Sequence, residues 1–535
     1  MKIVNNTQVK IDPNIKKLKK RRIVILSDTH IERHNSAFNL HAFNKGIEKI
    51  NKIKDVTLYL HLGDITHNGT LLDYEFAQEQ MEKLEPLAGA PLRYIIGNHD
   101  AKNVGYLLFE EFMGKGKRYF EYEEDDFYII GIDSTKPDLP GGVIHHDTID
   151  AVKRRLEERK DKLRIVCFHH QLLPIPNTGK ERSAIDDSGN MLRMLLDTEA
   201  DLVLNGHRHS SNLYSLNSPK KDFHIFNAGT FSCNKTRYRE LFTYSVIDIE
   251  DHQLNFKVRP VFERGTKKEI ERRIQRYDLR KIGKNEKPFC KFIQITNTFI
   301  TDDKNERTED LLKAIEEINQ IKDIDLVIHN GNLTNNSYRE EFQTAATYLE
   351  RIESPLIVMP GYSDSKPPAW IYWKNYIGEL NPTYETDKFF FQGINSTTQD
   401  SKIGFIGRKK TRKLMDLVLN YGYDKLYAVG FYHNLIPIPL SVWRTELMDA
   451  GDSLSQFARS QIDLVFNATP SISFNVKIGN SVFSNGGNMM GDHFDPVFQE
   501  VEIYKDGLVR IIEHNVLTDK RLILGKFIIQ PPEKH

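Results

Sequence analysis

The sequence predicts an α/β protein, built from packed sheets with helices on their outer faces, and it predicts that this fold occurs twice in tandem. Short runs rich in Val, Ile and Leu alternate with longer stretches whose apolar residues recur at helical spacing. Five of the apolar runs, each with the polar residues that end it, return in the same order in the second half of the chain. Such ordered self-similarity indicates two copies of one structural unit.

Buried strands are predicted where apolar runs are bounded by Gly or polar residues. In the first half these runs are RIVILS, VTLYLHLG, LRYIIG, FYIIGI, LRIVCFHH and ADLVLNG. Between them, LLDYEFAQEQMEKLEPL and DTIDAVKRRLEERKDK have the periodicity of amphipathic helices. FHIFNAG and the later FTYSVIDIEDHQLNFKVRPV are typical of antiparallel strands. In such a sandwich we expect the functional groups on loops at the strand ends.

The repeated segments define two domains and a connector. The aligned segments are 22–30 with 291–299, 62–69 with 330–337, 92–102 with 356–366, 166–176 with 429–439 and 202–209 with 464–471. The spacing between partners changes only slightly along the chain, so the two halves share one element order. We predict a first domain over 1–265, a charged helical linker over 266–288 and a second domain over 289–535.

Composition limits the classes of function. A chain of 535 residues is too long for one ordinary core. The chain has 74 Lys and Arg residues against 74 Asp and Glu residues, so its net charge does not favour nucleic acid or a membrane as partner. The basic run KKLKKRR at 16–22 is either a solvated lead into the first strand, which we favour, or a polyanion-binding arm. Three dispersed Cys and the lack of a long apolar stretch predict a soluble, cytoplasmic protein.

In the first half, each predicted strand of the repeat ends in residue types that bind metals. These residues are Asp28, His30, Asp64, Asn98, His99, Asp100, His169, His170, His207 and His209. In D-x-H and H-x-H, side chains two apart lie on one side of an extended strand end, so each pair can hold one ion. Carboxylate, amide and imidazole ligands suit Mn, Fe, Zn or Co. Two ions about 3.5 to 4 Å apart, sharing a bridging carboxylate, would use the whole set.

The motifs D-x-H, G-D, G-N-H-D, a strand-end His before a Pro-containing loop, and G-H-x-H occur in this order over 22–209. Together they resemble the calcineurin-like metallophosphoesterase family, and within it the bacterial cyclic-nucleotide phosphodiesterase-like branch. The resemblance implies a four-layer α/β/β/α sandwich and hydrolysis of phosphodiesters or phosphomonoesters by a metal-bridging hydroxide. It implies two divalent ions, with Mn the first choice for assays in vitro.

Carried onto this sequence, the resemblance also assigns roles to individual residues. It places Asp28, His30 and His209 on one metal, Asn98, His169 and His207 on the other, Asp64 between them, and His99 as the catalytic histidine. Substrate contacts are expected at Asn98, His67 and Arg182. Lys180 and Arg182 lie in a loop over 177–190 that either contacts a phosphate or forms a solvated lid, and Arg237 and Arg239 have the same ambiguity. His170 is expected to support the site without binding metal.

In the second half, none of the predicted ligands keeps its residue type. The predicted residues, in chain order, are Asp28, His30, Asp64, Asn98, His99, His169, His207 and His209. They align with Asn297, Phe299, Asn332, Tyr362, Ser363, Tyr432, Thr469 and Ser471, respectively. Asn keeps the shape of Asp without its charge, so it can lie where no cation compensates. We therefore predict a catalytically silent domain. It would be the internal partner in a pseudo-dimer, close the rim of the active cleft, or bind a regulatory ligand near Tyr362, Tyr432, Trp443 and Arg444; the structural roles are favoured because aromatic area usually serves packing.

These observations leave three hypotheses about function. The leading one is a metal-dependent hydrolase of a small phosphate ester or nucleotide. The alternative enzyme is a nuclease of the SbcD kind, for which the neutral charge and single basic run give little support. The alternative outside enzymes is a non-catalytic scaffold, which would leave the complete set of ligand types in the first half unexplained.

Overall fold

The computed structural model describes residues 18–34, 37–84, 89–179, 184–218, 220–237, 240–265, 267–303, 306–421, 425–441, 447–468, 470–489 and 494–530. The chain divides into two compact units, with the division between Asp278 and Leu279. Unit 1 contains most of the chain before this point, and unit 2 contains the chain after it. The predicted boundary between the two domains falls in the same region of the sequence.

Unit 1 alternates strands and helices as predicted. Its strands are β1 (Arg21–Leu26), β2 (Leu58–His61), β3 (Leu92–Tyr94), β4 (Phe120–Glu124), β5 (Phe127–Gly131), β6 (Thr135–Lys136), β7 (Leu139–Gly142), β8 (Leu163–Cys167), β9 (Leu202–Asn205), β10 (Asn212–Asn217), β11 (Asp222–Asn227), β12 (Thr243–Glu250), β13 (Gln253–Pro260) and β14 (Lys268–Arg273). Its helices are α1 (Leu40–Ile50), α2 (Leu71–Met81), α3 (Gly105–Phe112), α4 (His146–Glu157) and α5 (Ser188–Asp197). The strand order is β14-β13-β12-β1-β2-β3 in one sheet and β10-β11-β9-β8-β5-β4 in the other.

Alternation along the strands explains how the layers of unit 1 pack. Ile23 and Ile25 of β1 face the second sheet, where they join Ile129 and Ile165 in the inner core. The intervening residue Val24 points outward into the core beneath α1 and α2. Helices α4 and α5 bury their own apolar faces. The predicted sandwich of sheets between helices is therefore confirmed.

Unit 2 has the same strand order as unit 1. Its strands are β15 (Cys290–Ile295), β16 (Leu326–His329), β17 (Leu356–Val358), β18 (Thr383–Glu385), β19 (Phe389–Gly393), β20 (Leu426–Gly430), β21 (Leu464–Ala468), β22 (Phe474–Ile478), β23 (Ser481–Gly486), β24 (Val497–Ile503), β25 (Leu508–Asn515) and β26 (Lys520–Ile528). Its helices are α6 (Glu306–Gln320), α7 (Arg339–Leu349), α8 (Ala369–Tyr376), α9 (Arg408–Tyr421) and α10 (Ala450–Arg459). The orders are β26-β25-β24-β15-β16-β17 and β22-β23-β21-β20-β19-β18.

The prediction of a helical linker over 266–288 is wrong. Lys268–Arg273 form strand β14, which pairs antiparallel with β13 at the edge of a sheet. Ile270 alone of this strand packs against the inner core, and Glu269 accepts a hydrogen bond from Arg259 at 2.8 Å. Charged side chains are frequent on edge strands because they discourage further pairing. A single apolar residue among charges gave the sequence too little alternation to indicate a strand.

The described part of the basic run at 16–22 is held by acidic residues of its own unit. The ion pairs are Lys19–Asp125 at 3.3 Å, Arg21–Asp126 at 2.8 Å and Arg22–Asp248 at 2.6 Å. Leu18 is buried in the inner core. These contacts favour the interpretation of this segment as a lead into the first strand.

Two further observations concern possible membrane spans and the cysteines. Within the described residues, no helix is both long and apolar enough to cross a membrane. Cys167, Cys233 and Cys290 are buried and have free thiols.

A carboxylate in unit 2 predicts a pH dependence of stability. Burial raises the pKa of Asp463 to about 7. The Asp463 carboxyl therefore binds its proton more tightly in the folded state than in the unfolded state. The stability that this proton contributes is fully present below about pH 4 and is lost as the pH rises to about 7. In urea unfolding, we expect Asp463→Asn to become more stable relative to the wild type by about 2 kcal/mol between pH 5 and pH 8.

The corresponding position of unit 1 supplies a matched control for this prediction. Asp201 accepts a hydrogen bond from the Arg164 backbone at 2.9 Å, as Asp463 does from Tyr427 at 2.8 Å, and it forms an ion pair with Lys221. At Asp463, burial outweighs the attraction of Lys477. Asp201→Asn should therefore lower stability at both pH values, because it leaves the buried Lys221 without its carboxylate. A stability difference for Asp463→Asn that is constant with pH would contradict the prediction.

Candidate metal centre

The predicted ligands of unit 1 meet where parallel strands end. Strands β1, β2 and β3 run parallel to one another, as do β8 and β9. The carboxyl ends of these five strands carry Asp28, His30, Asp64, Asn98, His169, His207 and His209. Six of the seven side chains are buried, and His207 is partly buried. The structure thus brings the whole predicted set together at one edge of the sandwich.

One cluster contains Asp28, His30, Asp64 and His209, whose candidate ligand atoms all lie within 4.8 Å of one another. The Nε2 atoms of His30 and His209 are 3.2 Å apart. His209 Nε2 lies 3.3 Å from an Asp28 carboxylate oxygen, and His30 Nε2 lies 3.5 Å from Asp64 Oδ2. This is the first of the two predicted ligand groups, together with Asp64.

A second cluster contains Asp64, His169 and His207. Asp64 Oδ2 lies 3.3 Å from His169 Nε2, and His207 Nδ1 lies 3.3 Å from the same nitrogen. Asn98 Oδ1 completes the group, at 2.9 Å from His207 Nδ1 and 3.3 Å from His169 Nε2. Asp64 therefore belongs to both clusters, as its predicted bridging role requires.

The chemistry of these contacts fits two bound cations. His169 Nδ1 lies 2.7 Å from the Leu62 carbonyl, and His209 Nδ1 lies 2.5 Å from the Lys235 carbonyl. Because each Nδ1 must donate its proton to that carbonyl, each Nε2 presents a lone pair to the cluster. There it meets carboxylate, amide or imidazole acceptors, and such a convergence of lone pairs needs a positive charge at its centre.

The pKa values of His169 and His209 also indicate that the clusters favour positive charge. Burial opposes a charged imidazole, but the Asp64 carboxylate outweighs it and raises the pKa of His169 to about 9. Burial likewise opposes the charge on His209, and Asp28 raises its pKa to about 10. The two carboxylates therefore favour positive charge at these imidazoles, where the donor set also fits divalent ions.

The expectation that these ligands lie on extended strand ends is wrong. Asp28, His30, Asp64, His207 and His209 all have positive φ, at 52°, 50°, 54°, 71° and 54°. The left-handed conformation costs an L-residue about 1 kcal/mol or more, and such strain concentrates at functional sites. The chain thus turns sharply directly after each strand, and these turns aim both members of D-x-H and H-x-H at the cluster.

Two buried residues support the ligands without joining the clusters. Asp100 accepts hydrogen bonds from the backbone N–H groups of Ile65, Thr66 and Gly97 at 3.1, 2.7 and 2.9 Å, and so ties the Asp64 turn to the Asn98 turn. Burial raises the pKa of Asp100 to about 7. His170 lies 2.9 Å from Ser134 Oγ and is absent from both clusters, in agreement with its expected supporting role.

His99 lies beside the clusters and outside both of them. Its Nδ1 is 2.7 Å from the His67 carbonyl oxygen and 2.7 Å from Lys102 Nζ. Its backbone N–H donates to Asp64 Oδ1 at 2.7 Å, and its ring stacks on that of His67 at 4.8 Å. Since Nδ1 is engaged, Nε2 is the nitrogen that remains to act on a substrate.

A cavity of about 390 Å³ lies beside the two clusters in unit 1. Its walls include His30, Asp64, His67, Asn98, His99, His207, Arg208, His209, Cys233, Asn234, Lys235 and Arg237. Two predicted substrate contacts, His67 and Asn98, are among them. The third, Arg182, lies outside the described residues, as do Lys180 and Arg239. Sequence reasoning missed Lys102, Cys233 and Lys235, although the nearness of Lys102 to G-N-H-D and of Lys235 to Arg237 was a usable signal.

In unit 2, hydrogen bonds satisfy the residue that aligns with Asp64. Asn332 Nδ2 donates to Asn297 Oδ1 at 3.0 Å and to the Tyr432 hydroxyl at 2.8 Å, while Asn332 Oδ1 accepts from the Ser363 N–H at 3.0 Å. The two amide protons thus occupy the side where Asp64 meets the histidines. Among the described residues of unit 2, no group of His, Cys, Asp or Glu converges as in unit 1. Thr469, Trp443 and Arg444 lie outside the described residues.

The supporting contacts of the two units correspond even though the ligands do not. The paired contacts are Thr29–His61 with Thr298–His329, Ser134–His170 with Ser396–His433, and Asp100–Thr66 with Asp364–Thr334. The left-handed turns also correspond, since Asn297, Phe299 and Asn332 have φ of 55°, 43° and 52°. Unit 2 therefore keeps the framework of the site without its ligands.

Comparison with known proteins places this site in a family. Residues 21–211 match the calcineurin-like phosphoesterase family. A probable cyclic nucleotide phosphodiesterase of Xenorhabdus bovienii is 24% identical over 245 residues, which is 42% of this chain and 95% of the relative. A 3′,5′-cyclic adenosine monophosphate phosphodiesterase of Pseudomonas aeruginosa is 26% identical over 165 residues, 29% of this chain and 56% of the relative. A glycerophosphodiester phosphodiesterase of Enterobacter lignolyticus is 27% identical over 204 residues, 35% of this chain and 69% of the relative.

The fold and the site together define a metal-dependent phosphoric ester hydrolase. The match to the calcineurin-like phosphoesterase family covers residues 21–211 and so falls on unit 1. The predicted resemblance is therefore confirmed.

Proposed function

We propose that unit 1 is a two-metal phosphodiesterase for small phosphate esters and that unit 2 is a non-catalytic copy with a structural or regulatory role. The observation that carries the proposal is the position of Asp64 Oδ2, which lies 3.5 Å from His30 Nε2 and 3.3 Å from His169 Nε2. A carboxylate shared in this way suits two adjacent ions. Two-metal sites of this kind serve displacement at phosphorus.

The two ions, when bound, would supply charge neutralisation at the phosphoryl oxygens and lower the pKa of a water molecule. Asp28, His30 and His209 would hold one ion, and Asn98, His169 and His207 the other, with Asp64 shared. The carbonyls of Leu62 and Lys235 fix which ring nitrogens face the ions. Mn, Fe, Zn and Co all suit this mixture of ligands, and Mn is our choice for assays in vitro.

His99 would act on the leaving group. It lines the cavity with Nε2 available, while the His67 carbonyl and Lys102 hold the other side of the ring. A proton at Nε2 would pass to the departing oxygen, which makes expulsion of an alkoxide easier. His67 and Asn98 would contact the ester from the cavity wall.

The relatives point to phosphodiesters as the substrate class. Two of them are named for cyclic nucleotides and one for glycerophosphodiesters. A cavity of about 390 Å³ has the size of small-molecule sites, which are typically about 300 to 1,000 Å³. We therefore propose a small phosphodiester as the substrate of unit 1.

For unit 2, the proposal rests on the hydrogen bonds of Asn332. Both amide protons are used by Asn297 and Tyr432, so the position that aligns with the bridging carboxylate is internally satisfied. We infer that the two units arose by tandem duplication, since their strand orders, left-handed turns and buried supporting contacts correspond.

The test is hydrolysis by chelator-treated protein reloaded with Mn. Bis-p-nitrophenyl phosphate, 3′,5′-cyclic AMP, glycerophosphocholine and linear DNA form the substrate panel. We expect hydrolysis of at least one small phosphodiester, loss of activity on chelation, and recovery with close to two Mn per chain. Cleavage of linear DNA alone would support the nuclease alternative. A purified chain that takes up no metal would support the scaffold.

A further inference from the structure

We infer that the cavity of unit 1 contains a second anion-binding site beside the metal clusters, built on Arg237 and Lys235. The inference rests on the proposed function and narrows its substrate class. The preferred substrate would be a phosphodiester that carries a further phosphate group close to the scissile one. Both side chains line the same cavity as Asp64 and His99.

A single loop ties this cationic pair to the metal ligands. The Lys235 carbonyl lies 2.5 Å from Nδ1 of His209 and so orients that ligand. At the start of the loop, the backbone N–H of Cys233 donates to Thr230 Oγ1 at 3.0 Å. At its end, Arg237 pairs with Glu240 through the backbone. The backbone that carries the two cations is thus held at both ends, and at Lys235 it contacts the metal cluster directly.

Arg237 has unused hydrogen-bonding capacity. Its Nε is buried and has no hydrogen-bond partner among the described residues. The acidic residue nearest in the loop, Glu240, accepts instead from Ser211 and Lys268 at 2.7 and 2.8 Å. Because buried donors are normally satisfied, a guanidinium in this state at a cavity wall is suited to an anion from solution. Its planar fork matches two oxygens of a phosphate.

The charge of the cavity wall supports the same conclusion. Arg208, Lys235 and Arg237 line the cavity, and Asp64 is the acidic residue among the side chains that line it. Asp64 faces the histidines of the two clusters, so its charge does not neutralise these Arg and Lys side chains. A cyclic nucleotide or a glycerophosphodiester with an uncharged second group has one negative charge, which would lie at the metal clusters. A second phosphate would use the remaining positive charge.

The test compares two substrates that differ by one phosphate. Thymidine 5′-(p-nitrophenyl phosphate) is hydrolysed with and without a 3′-phosphate, and kcat/KM is measured for the Mn-loaded chain. We expect the 3′-phosphorylated ester to be preferred by about 10-fold or more. Arg237→Gln should remove most of this preference, and Arg237→Lys should keep part of it. Arg193→Gln is the matched control, since Arg193 is an exposed residue of α5 paired with Asp197 at 3.6 Å, and it should leave both rates unchanged.

A binding measurement keeps the inference testable apart from catalysis. Calorimetry with the Mn-loaded chain should give a Kd for thymidine 3′,5′-bisphosphate about 10-fold or more below that for thymidine 5′-monophosphate, and Arg237→Gln should abolish the difference. Equal Kd values in the wild type, or equal loss for both ligands in Arg237→Gln, would overturn the inference. A preserved Kd ratio in a chain that hydrolyses no phosphate ester would instead refute the proposed function and leave the anion site standing.

Discussion

Asp64→Asn is expected to abolish phosphodiester hydrolysis, with kcat/KM lowered by roughly 10³-fold or more, which is about 4 kcal/mol of transition-state stabilisation. Asp64 Oδ2 faces His30 and His169, while Oδ1 accepts the backbone N–H of His99 at 2.7 Å. An amide can satisfy the N–H only by turning its NH₂ group toward the two histidines. That side would then repel cations. In unit 2 the NH₂ group of Asn332 already faces Asn297 and Tyr432 in this way. Bound Mn should fall to one or fewer per chain, as measured by elemental analysis.

Asn332→Ala is the matched control, because Asn332 occupies the aligned position of unit 2. It should lower the stability of unit 2 by about 1 to 3 kcal/mol, since it leaves buried hydrogen-bonding groups unsatisfied. Activity and Mn content should not change. If Asp64→Asn kept both ions and full activity, the bridging assignment would be wrong. Loss of activity in Asn332→Ala with the fold intact would show that unit 2 takes part in catalysis.

His99→Ala should reduce kcat by about 10²- to 10⁴-fold on substrates with poor leaving groups. The reason is that His99 lines the cavity while its Nδ1 contacts the His67 carbonyl and Lys102, so Nε2 is the nitrogen that would act on a substrate. Mn content should remain at the wild-type level because His99 belongs to neither of the two clusters that contain Asp64. The measurements are kcat for 3′,5′-cyclic AMP and the Mn content per chain, each compared between His99→Ala and the wild type.

The choice of leaving group separates this role from a structural one. p-Nitrophenolate departs without protonation, so bis-p-nitrophenyl phosphate should lose much less activity in His99→Ala than an alkyl ester loses. A distorted site would slow both substrates to the same extent. Equal losses would therefore remove His99 from the role of proton donor.

Much of the fold was predictable because strands and helices here follow hydrophobic periodicity closely. β1, β8 and β9 are nearly continuous apolar runs, and the motifs directly follow their ends. The metal cluster was predictable in composition because ligand types stand directly after these strands. The internal repeat added a comparison that an isolated domain would not offer, since Asn332 aligned with Asp64.

What the sequence did not show depends on contacts between distant segments. Strand β14 was hidden because its charged side chains pair with neighbouring strands, which local periodicity does not record. The left-handed turns at Asp28 and His30 were missed since ordinary L-residues give no sign of positive φ, unlike Gly. The cavity role of Lys235 depends on a carbonyl that reaches His209 from outside the motifs.

The left-handed turns of unit 2 carry a consequence for how the metal site of unit 1 assembles. Phe299 retains φ of 43° although its side chain offers no ligand atom, so the turn is imposed by the surrounding strands and not by an ion. By correspondence, the turns at His30 and Asp64 do not need an ion to adopt this conformation. Metal uptake would then require proton release from histidines such as His169 and His209 but little rearrangement of the backbone. The packing of the sandwich, more than metal coordination, would then stabilise the left-handed turns of the site.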